Sequence, residues 1–475
     1  MRKDEENQAK EQSMFEPRTY LQRRERLRKQ VKSGLILFLG NEESPMNYSS
    51  NAYKFRQDSS FLYFFGLDTP GLAAAIDVDE GQDSIYGEDI GLEDVIWTGF
   101  IPTLKERAKK AGIKRTAPLA ELKDKIRLAV SRKRTLHYLP PYRPEMILKM
   151  QSWVGIPADE VQGKVSSELI QAVIAQRSVK TKEEIAEIEK ALRISSEMYK
   201  AAARMVKPGA YEREILGIKE GIATAMGGST AFPPIVTING QIFHSQYFGN
   251  KLTKGRLLVI DAGAESALHY ASDITRTYPV GGKFTPKQKE IYAVVLKAQE
   301  SAIRAIKPGV PYRDIHLQTA RVIASGLKEI GLMKGDVDKA VGQGAHALFF
   351  PHGLGHMIGL DVHDMENLGE NYVGYNDKFQ RSKQFGFAYL RLAKELQPGF
   401  VFTVEPGIYF IPALIDQWKK EKKNLDFIDY DRVEKYLDFG GIRIEDDVLV
   451  TETGHRVLGK PIPKKIEDVE EAITG

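Results

Sequence analysis

The sequence contains no cysteine, which excludes disulfide bonds, thiolate metal sites and a cysteine nucleophile. Its 475 residues also lack any apolar run near the roughly 18 residues of a membrane-spanning helix. Charge of one sign is not in excess, because 68 basic and 64 acidic residues leave a formal net charge of +4. We therefore expect a cytoplasmic protein that binds neither nucleic acid nor a membrane.

The N-terminal part of the chain predicts a small α/β domain. The first ten residues are polar and lack the apolar region of a signal peptide, so residues 1–13 are interpreted as a solvated extension. Apolar runs and basic periodic stretches then predict an α/β domain over 14–172. The strand candidates are 35–39, 61–65 and 72–78, and the helix candidates are 20–32 and 119–134.

The rest of the chain, 173–475, carries an internal repeat. A capping-box pattern at Thr181 predicts the start of a long helix, and Thr285-Pro286 predicts the start of a second one. Both predicted helices lead to a Lys-Pro-Gly turn, which chance alone would explain. A second echo is stronger, because Asp261 and Glu405 each end a strand-like run that begins at glycine. A pseudo-twofold repeat would place these two acids on equivalent strands, facing one site.

Five residues of the metal-ligand type stand in five separate motifs of this region: Asp261, Asp273, His356, Glu405 and Glu445. One histidine and four carboxylates form a hard, oxygen-rich set, which suits Mn²⁺, Mg²⁺ or Co²⁺ better than thiolate zinc sites do. Four carboxylates also carry more charge than one divalent ion neutralises, and unpaired they would take up protons. The set therefore predicts a hydrolytic site with two metal ions.

Each motif also has an ordinary structural interpretation. Asp261 and Asp273 fit two antiparallel strands with both carboxylates on one face, although single aspartates more often serve as turn or cap residues. Arg443 and Glu445, two apart, would share a strand face, as an ordinary cross-strand ion pair also would.

The histidines of the His-Gly-Leu-Gly-His motif are four residues apart, a spacing that on a helix suggests zinc. Gly353 and Gly355 argue against a helix, so we predict a loop that leads into a strand at 357–363. His352 and His363 are expected to face the substrate or the residues that support the ligands. His244 alone would be interpreted as a core histidine.

In this order the five motifs resemble the pita-bread dinuclear metallopeptidases, and among them the Xaa-Pro aminopeptidases (aminopeptidase P) and Xaa-Pro dipeptidases (prolidases). Residues 53–67 are similar to part of that family's N-terminal domain. The resemblance implies a pita-bread (creatinase/aminopeptidase-like) α/β catalytic domain behind a smaller α/β domain. It also implies a homo-oligomer, dimer or tetramer.

The resemblance also assigns roles to residues. The five ligands would hold two divalent ions, most often Mn²⁺ with Co²⁺, Zn²⁺ or Mg²⁺ as alternatives, and Asp273 and Glu445 would bridge them. Catalytic roles fall to Glu405, His244, His352, His363 and Arg443. Substrate contacts fall to His244, His363 and Trp97, and Trp97 resembles a tryptophan that reaches a neighbouring subunit's site.

The function that follows is a metallo-exopeptidase of the Xaa-Pro aminopeptidase type, whose substrate is a peptide with proline in second position. Two cations would lower the pKa of a shared water so that hydroxide attacks the scissile carbonyl. Charged insertions at 366–394 and 411–438 depart from a compact aminopeptidase P, and the one at 411–438 is more similar to a prolidase. A prolidase restricted to dipeptides is therefore the alternative, and a non-catalytic pita-bread binding protein would have lost the ligands.

Overall fold

A computed structural model of the chain describes residues 14–474. The predicted extension at 1–13 lies outside these residues. The chain divides into two compact units, one that ends at Arg177 and one that begins at Ser178. Within residues 14–474, no helix is both long enough and apolar enough to cross a membrane.

The first unit is built on a mixed five-stranded sheet. Its strands are β1 (Leu35–Leu39), β2 (Ala73–Asp77), β3 (Gln82–Tyr86), β4 (Arg115–Ala117) and β5 (Leu136–Tyr138). They lie in the order β4-β3-β2-β1-β5, and β1 pairs antiparallel with β2 and parallel with β5. The predicted strands at 35–39 and 72–78 are thus confirmed.

Helices accompany this sheet along the chain. They are α1 (Pro17–Gln30), α2 (Ser59–Phe65), α3 (Leu92–Thr98), α4 (Leu104–Lys110), α5 (Leu119–Ser131), α6 (Pro144–Val154) and α7 (Ser167–Ser178), with a 3₁₀ turn at Val161–Lys164. Leu122 and Ile126 of α5 belong to the same core as β1 and β2. The helices predicted at 20–32 and 119–134 are confirmed.

The strand predicted at 61–65 is wrong, because this segment lies in helix α2. Asp58 caps the helix by accepting a hydrogen bond from the amide of Phe61, and Gly66 ends it at a positive φ of 66°. All seven helical residues are buried. With no polar face, the sequence has neither the helical nor the strand period.

The second unit contains most of the helices and all of the predicted ligands. The helices are α8 (Lys182–Arg204), α9 (Glu212–Ala225), α10 (Pro286–Ala305), α11 (Tyr312–Glu329), α12 (Val337–Gly342), α13 (Glu370–Gly374), α14 (Pro412–Lys420), α15 (Tyr430–Val433) and α16 (Ile466–Thr474). Its 3₁₀ turns are Ala345–Leu348, Glu366–Leu368, Phe387–Tyr389 and Glu434–Tyr436. Both predicted helix starts are confirmed, each with a capping box, at Thr181 and Thr285.

In the described part of the chain, the short strands of this unit form four small sheets. They are β6 (Ser229–Thr230), β7 (Ile235–Thr237), β8 (Leu257–Ala262), β9 (Ala264–Glu265), β10 (Ile274–Pro279), β11 (Val401–Val404), β12 (Gly407–Tyr409), β13 (Gly441–Arg443), β14 (Asp446–Val450) and β15 (His455–Val457). The sheets are β10-β8-β7, β11-β14-β15, β12-β13 and β6-β9. A bridge between Thr275 and Glu445 connects the first of these sheets to the start of β14, so the two halves of the repeat meet there.

Candidate metal centre

Two paired strands carry the first two acidic residues. Asp261 lies in β8, whose residues are all buried, and Asp273 directly precedes β10. The strands pair antiparallel with Thr275 opposite Asp261. The predicted antiparallel pair is confirmed, and it brings both carboxylates to the same end of the sheet.

The hydroxyl of Tyr199, on helix α8, supports the backbone on both strands. It lies 3.1 Å from the carbonyl oxygen before Asp261 and 3.1 Å from the amide nitrogen after it. It also hydrogen-bonds the carbonyl of the residue after Asp273. The Tyr199 side chain is 1% exposed, so water does not substitute for these bonds. No sequence pattern marks this residue.

Replacing Tyr199 with phenylalanine is expected to lower the free energy of unfolding by about 1–3 kcal/mol, because buried backbone groups lose their partner. Metal affinity should fall as well, because the two strands carrying Asp261 and Asp273 lose a shared anchor. Urea unfolding and metal titration measure the two effects. Tyr292→Phe is the control, since its hydroxyl also binds a carbonyl, that of Lys464. Equal metal affinity in the two variants would contradict the prediction.

Three of the predicted ligands lie close enough to share one ion. Suitable atoms of Asp273, His356 and Glu445 all lie within 4.8 Å of one another. His356 Nδ1 lies 3.1 Å from the carbonyl oxygen of Met357, which can only accept, so Nδ1 carries the proton. Nε2 then presents its lone pair 3.5 Å from Asp273 Oδ2 and 3.6 Å from Glu405 Oε1. Such a ring is prepared to bind a metal through Nε2.

The electrostatics of this cluster call for cations. Within residues 14–474, Asp261 Oδ1 and Asp273 Oδ1 are buried without a hydrogen-bond partner. Burial, and then the charges of Glu445 and Asp261, raise the pKa of Asp273 well above its usual value. Burial raises the pKa of Glu405 to about 7. Acceptors that face one another at these distances repel, and the donor set therefore fits divalent cations.

Glu445 reaches the cluster at a break between two strands. β13 ends at Arg443 and β14 begins at Asp446, and Glu445 itself pairs only with Thr275. The chain changes partners here, since β13 pairs with β12 and β14 pairs with β11. Arg443 and Glu445 therefore do not lie in one continuous strand, but both line the same cavity, as a shared face would have them. Thr275 Oγ1 donates to Glu445 Oε2 at 2.6 Å, which fixes the carboxylate instead.

Arg443 connects Asp261 to His352 through a tyrosine. Its Nη2 donates to Asp261 Oδ2 at 2.6 Å, and its Nη1 donates to the hydroxyl of Tyr409 at 2.9 Å. Tyr409 in turn lies 2.9 Å from His352 Nε2. His352 Nδ1 lies 2.8 Å from the carbonyl of Gly353, so Nδ1 holds the ring proton and Tyr409 donates to Nε2. Sequence reasoning missed Tyr409, which no spacing pattern marks.

The loop that carries His352 and His356 depends on a close approach of two backbones. A Cβ atom at Gly355 would lie 2.0 Å from the carbonyl oxygen of Thr403, so only glycine fits. The strand predicted at 357–363 is wrong, because only Met357 forms an isolated bridge there. Instead the chain bends around Asp364, whose carboxylate accepts from the amide of Asp361 and pairs with Lys180 at 2.8 Å.

The predicted residues line one cavity of about 720 Å³. Those from the sequence prediction are His244, Asp261, Asp273, His352, His356, His363, Glu405, Arg443 and Glu445. Burial lowers the pKa of His244, and it lowers that of His352 to about 3, so both rings are neutral at neutral pH. Trp97 lies in α3 of the first unit and is 86% exposed, and its contact with a neighbouring subunit stays a prediction.

Both charged insertions contribute to the wall of this cavity. The first supplies Glu370, Arg381, Phe385, Tyr389 and Arg391, and the second supplies Ile411 and Leu414. Arg391 is the main residue that sequence reasoning missed. Its positive charge acts on a proposed ligand. Burial lowers the pKa of His356 most, and the charges of His363 and then Arg391 lower it further.

Comparisons with known families and relatives cover nearly the whole chain. Residues 186–452 match Metallopeptidase family M24, and residues 20–137 match Aminopeptidase P, N-terminal domain. The chain is 32% identical to a human protein named Xaa-Pro dipeptidase, over 95% of this chain and 91% of that protein. It is 33% identical to a Sordaria macrospora protein named Probable Xaa-Pro aminopeptidase, over 93% and 91%.

Solved structures give the same result. The fold matches the aminopeptidase PepP of Pseudomonas aeruginosa with a TM-score of 0.79 and 26% identity, over 97% of this chain and 98% of that one. It matches aminopeptidase P from E. coli with the inhibitor Pro-Leu with a TM-score of 0.79 and 27% identity, over 97% and 99%. The two-unit α/β architecture is therefore shared along the full length of these structures.

Proposed function

This chain belongs to metallopeptidase family M24, and from that premise we propose that it is an Xaa-Pro aminopeptidase, which releases an N-terminal residue that precedes proline. The single observation that carries the proposal is the buried cluster of Asp273, His356 and Glu445 in the wall of a substrate-sized cavity. The names of the relatives support the choice of substrate class.

Two divalent cations are proposed to be held by Asp261, Asp273, His356, Glu405 and Glu445. When bound, the ions would polarise the scissile carbonyl and lower the pKa of water. Mn²⁺ is the proposed metal, with Co²⁺, Zn²⁺ and Mg²⁺ as alternatives, because an oxygen-rich set suits such ions. Metal analysis of the purified protein tests this choice.

Glu405 is proposed as the group that moves the proton. It would accept a proton from the attacking water and deliver it to the proline nitrogen as the carbon–nitrogen bond breaks. Its Oε1 lies 3.6 Å from His356 Nε2, so its carboxylate would be within reach of a water held by the proposed ligands. His352 Nδ1 lies 3.8 Å from Glu405 Oε2, next to the carboxylate that would shuttle.

Histidines and Arg443 are proposed to position the substrate and the ligands. His244 and His363 line the cavity, and both would donate to the oxygen on which charge develops, His363 in its protonated form because its Nδ1 already donates to Glu366. Arg443 would hold Asp261 in place through the 2.6 Å contact described above. Through Tyr409 it would also hold the ring of His352. A change at any of these three residues would therefore disturb the other two.

The apolar lining of the cavity supports proline as the recognised residue. Its apolar lining side chains are Phe232, Pro233, Ile235, Phe243, Pro351, Val362, Phe385, Ile411 and Leu414. A pyrrolidine ring would be buried among such side chains, and an imide bond offers no N–H that needs an acceptor. The acidic ligands would attract a free N-terminal amine, which makes the enzyme an exopeptidase.

The enzyme is expected to release the first residue from Xaa-Pro-Yaa peptides and to be nearly inactive on Xaa-Ala-Yaa peptides. Alanine leaves the apolar wall unfilled and introduces an unpaired N–H, which together cost about 10²-fold or more in kcat/KM. Steady-state hydrolysis of a matched pair of tripeptides measures the ratio. Comparable rates on the two peptides would contradict proline specificity while leaving the peptidase itself intact.

A dipeptidase is the second candidate, because Arg381 and Arg391 line the cavity and a dipeptide ends in a carboxylate beside its proline. Hydrolysis of Xaa-Pro compared with Xaa-Pro-Yaa distinguishes the two functions. Cleavage of the dipeptide with none of the tripeptide would reverse the order and make the enzyme a prolidase.

The setting of the enzyme is also proposed. We place a 14–172 N-terminal domain before a 173–475 catalytic domain, in a cytoplasmic homo-oligomer, dimer or tetramer. The exposed Ile96, Trp97 and Phe100 support contact between subunits, since patches of exposed large apolar side chains mark interfaces. Light scattering of the purified full chain tests the assembly.

A further inference from the structure

The insertion at 366–394 places a network of opposite charges on the cavity wall. Arg391 Nε lies 2.7 Å from Glu366 Oε1 and 3.5 Å from Glu370 Oε1. Arg381 pairs with Glu370 as well. The four side chains are 25% to 35% exposed, so water and substrate can reach them. The network therefore belongs to the substrate's surroundings and not to the core.

Every arginine that lines the cavity, among the residues that the structure describes, already has a carboxylate partner. Arg443 is held by Asp261, Arg391 chiefly by Glu366, and Arg381 by Glu370. A ligand that brings a carboxylate into the cavity therefore meets an arginine whose charge is already neutralised by an acid. Arg443 is 4% exposed, which leaves the insertion's two arginines as the ones within reach.

Glu366 performs a second task at the same time. Its Oε2 accepts a hydrogen bond from His363 Nδ1 at 3.1 Å, on the side opposite the contact with Arg391. Burial would raise the pKa of Glu366, but the hydrogen bond from His363 and the charge of Arg391 lower it below its usual value. The residue is an anion at neutral pH. One carboxylate thus neutralises an arginine and orients a histidine, and both of those residues line the cavity.

We propose that Glu366 determines substrate length: by occupying Arg391 it disfavours peptides whose proline carries a free carboxylate and favours peptides whose chain continues or is amidated. This inference rests on the proposed Xaa-Pro peptidase function. A dipeptide's carboxylate would have to share Arg391 with Glu366 or displace that acid, and either outcome leaves one anion without its own cation in a half-buried site. An amide or a further residue carries no charge at this point and displaces nothing.

Two substitutions separate the two tasks of Glu366. Glu366→Gln removes the charge but keeps an oxygen that can accept from His363, whereas Glu366→Ala removes both. The assay compares an Xaa-Pro dipeptide with its own C-terminal amide, two substrates that differ only in the carboxylate. Glu395→Gln is the matched control. Glu395 directly follows the insertion and pairs with its Lys378 at 3.1 Å, but it does not line the cavity.

For Glu366→Gln in the full-length, metal-loaded enzyme, we expect kcat/KM for the free dipeptide to rise relative to the amide by about fivefold, the scale of a partly exposed ion pair. The change should appear in KM for the dipeptide, and the ratio between the two substrates is the readout, because any effect through His363 changes kcat on both alike. Glu366→Ala should show the same shift in the ratio together with a lower kcat on both substrates. Glu395→Gln should leave the ratio as it is in the wild type.

A double variant tests whether the gain depends on the charge of Arg391. Adding Arg391→Gln to Glu366→Gln should abolish the gain, because the released cation is gone. A ratio that does not change in Glu366→Gln, or a gain that survives the loss of Arg391, overturns the inference and leaves the peptidase function standing. A wild-type enzyme that cleaves neither substrate, nor a proline tripeptide, after metal addition would instead overturn the proposed function.

Discussion

Chelation of the divalent ions is expected to abolish peptide hydrolysis, and Mn²⁺ added back is expected to restore it, with about two metal ions bound per chain. The reason is electrostatic. Asp261 and Asp273 each bury an unpartnered oxygen, and burial together with neighbouring acids raises the pKa of Asp273 and Glu445. Cations are the means by which such a set becomes both charged and stable at neutral pH.

The same expectation applies to a single ligand. Asp273→Asn keeps the size of the side chain and removes its charge, so metal content and activity should both fall while the fold is retained. Elemental analysis and hydrolysis of a proline tripeptide measure the two. The control is Glu212→Gln, a fully buried acid bound to the amide of Ile238 and to Asn250, which should keep its metals. Full activity of Asp273→Asn, or saturation at one ion or none, would exclude a dinuclear centre built on Asp273.

Glu405→Gln is expected to lower kcat by about 10²–10⁴-fold with a much smaller change in KM, the usual loss when a general base is removed. Its carboxylate lies 3.6 Å from His356 Nε2, and burial sets its pKa at about 7. Metal content must be measured in the same preparation, because Glu405 is also a proposed ligand. A variant with both metals and no activity assigns the loss to proton transfer.

A near-normal kcat in Glu405→Gln would reduce Glu405 to a residue at the end of a strand. The Glu395→Gln change serves as control here too, since it removes an acid whose partners Lys378 and Asn376 lie outside the cavity lining. Loss of metal together with activity would point to ligation as the main role of Glu405.

The elements that the sequence predicts correctly are those whose pattern reflects a local cause. The capping-box pattern at Thr181 and the Thr285-Pro286 start are each contained within four residues, and a helix begins at both places. The antiparallel approach of Asp261 and Asp273 follows from an apolar strand and a short return. All five predicted ligand positions line one cavity.

The errors arise where contacts distant in sequence decide the conformation. The aromatic run 61–65 is buried on all sides, so its sequence shows no polar face from which a helix could be recognised. The segment 357–363 bends because Lys180, far back in the chain, pairs with Asp364. Glu366 and Arg391 carry no motif, and only the folded insertion brings them together. A sequence pattern cannot report a partner that it does not contain.

The bridge between Thr275 and Glu445 has a consequence for biosynthesis. Its side-chain hydrogen bond joins residues 170 positions apart, so the centre consists of one half that emerges early from the ribosome and another that emerges late. At roughly 5–20 residues per second, a nascent chain would expose Asp261 and Asp273 for about ten seconds or more before Glu445 is translated. Throughout that interval the site lacks Glu445, and for about its first half it lacks His356 as well. The complete set of proposed ligands therefore exists only after the second half of the chain has been translated.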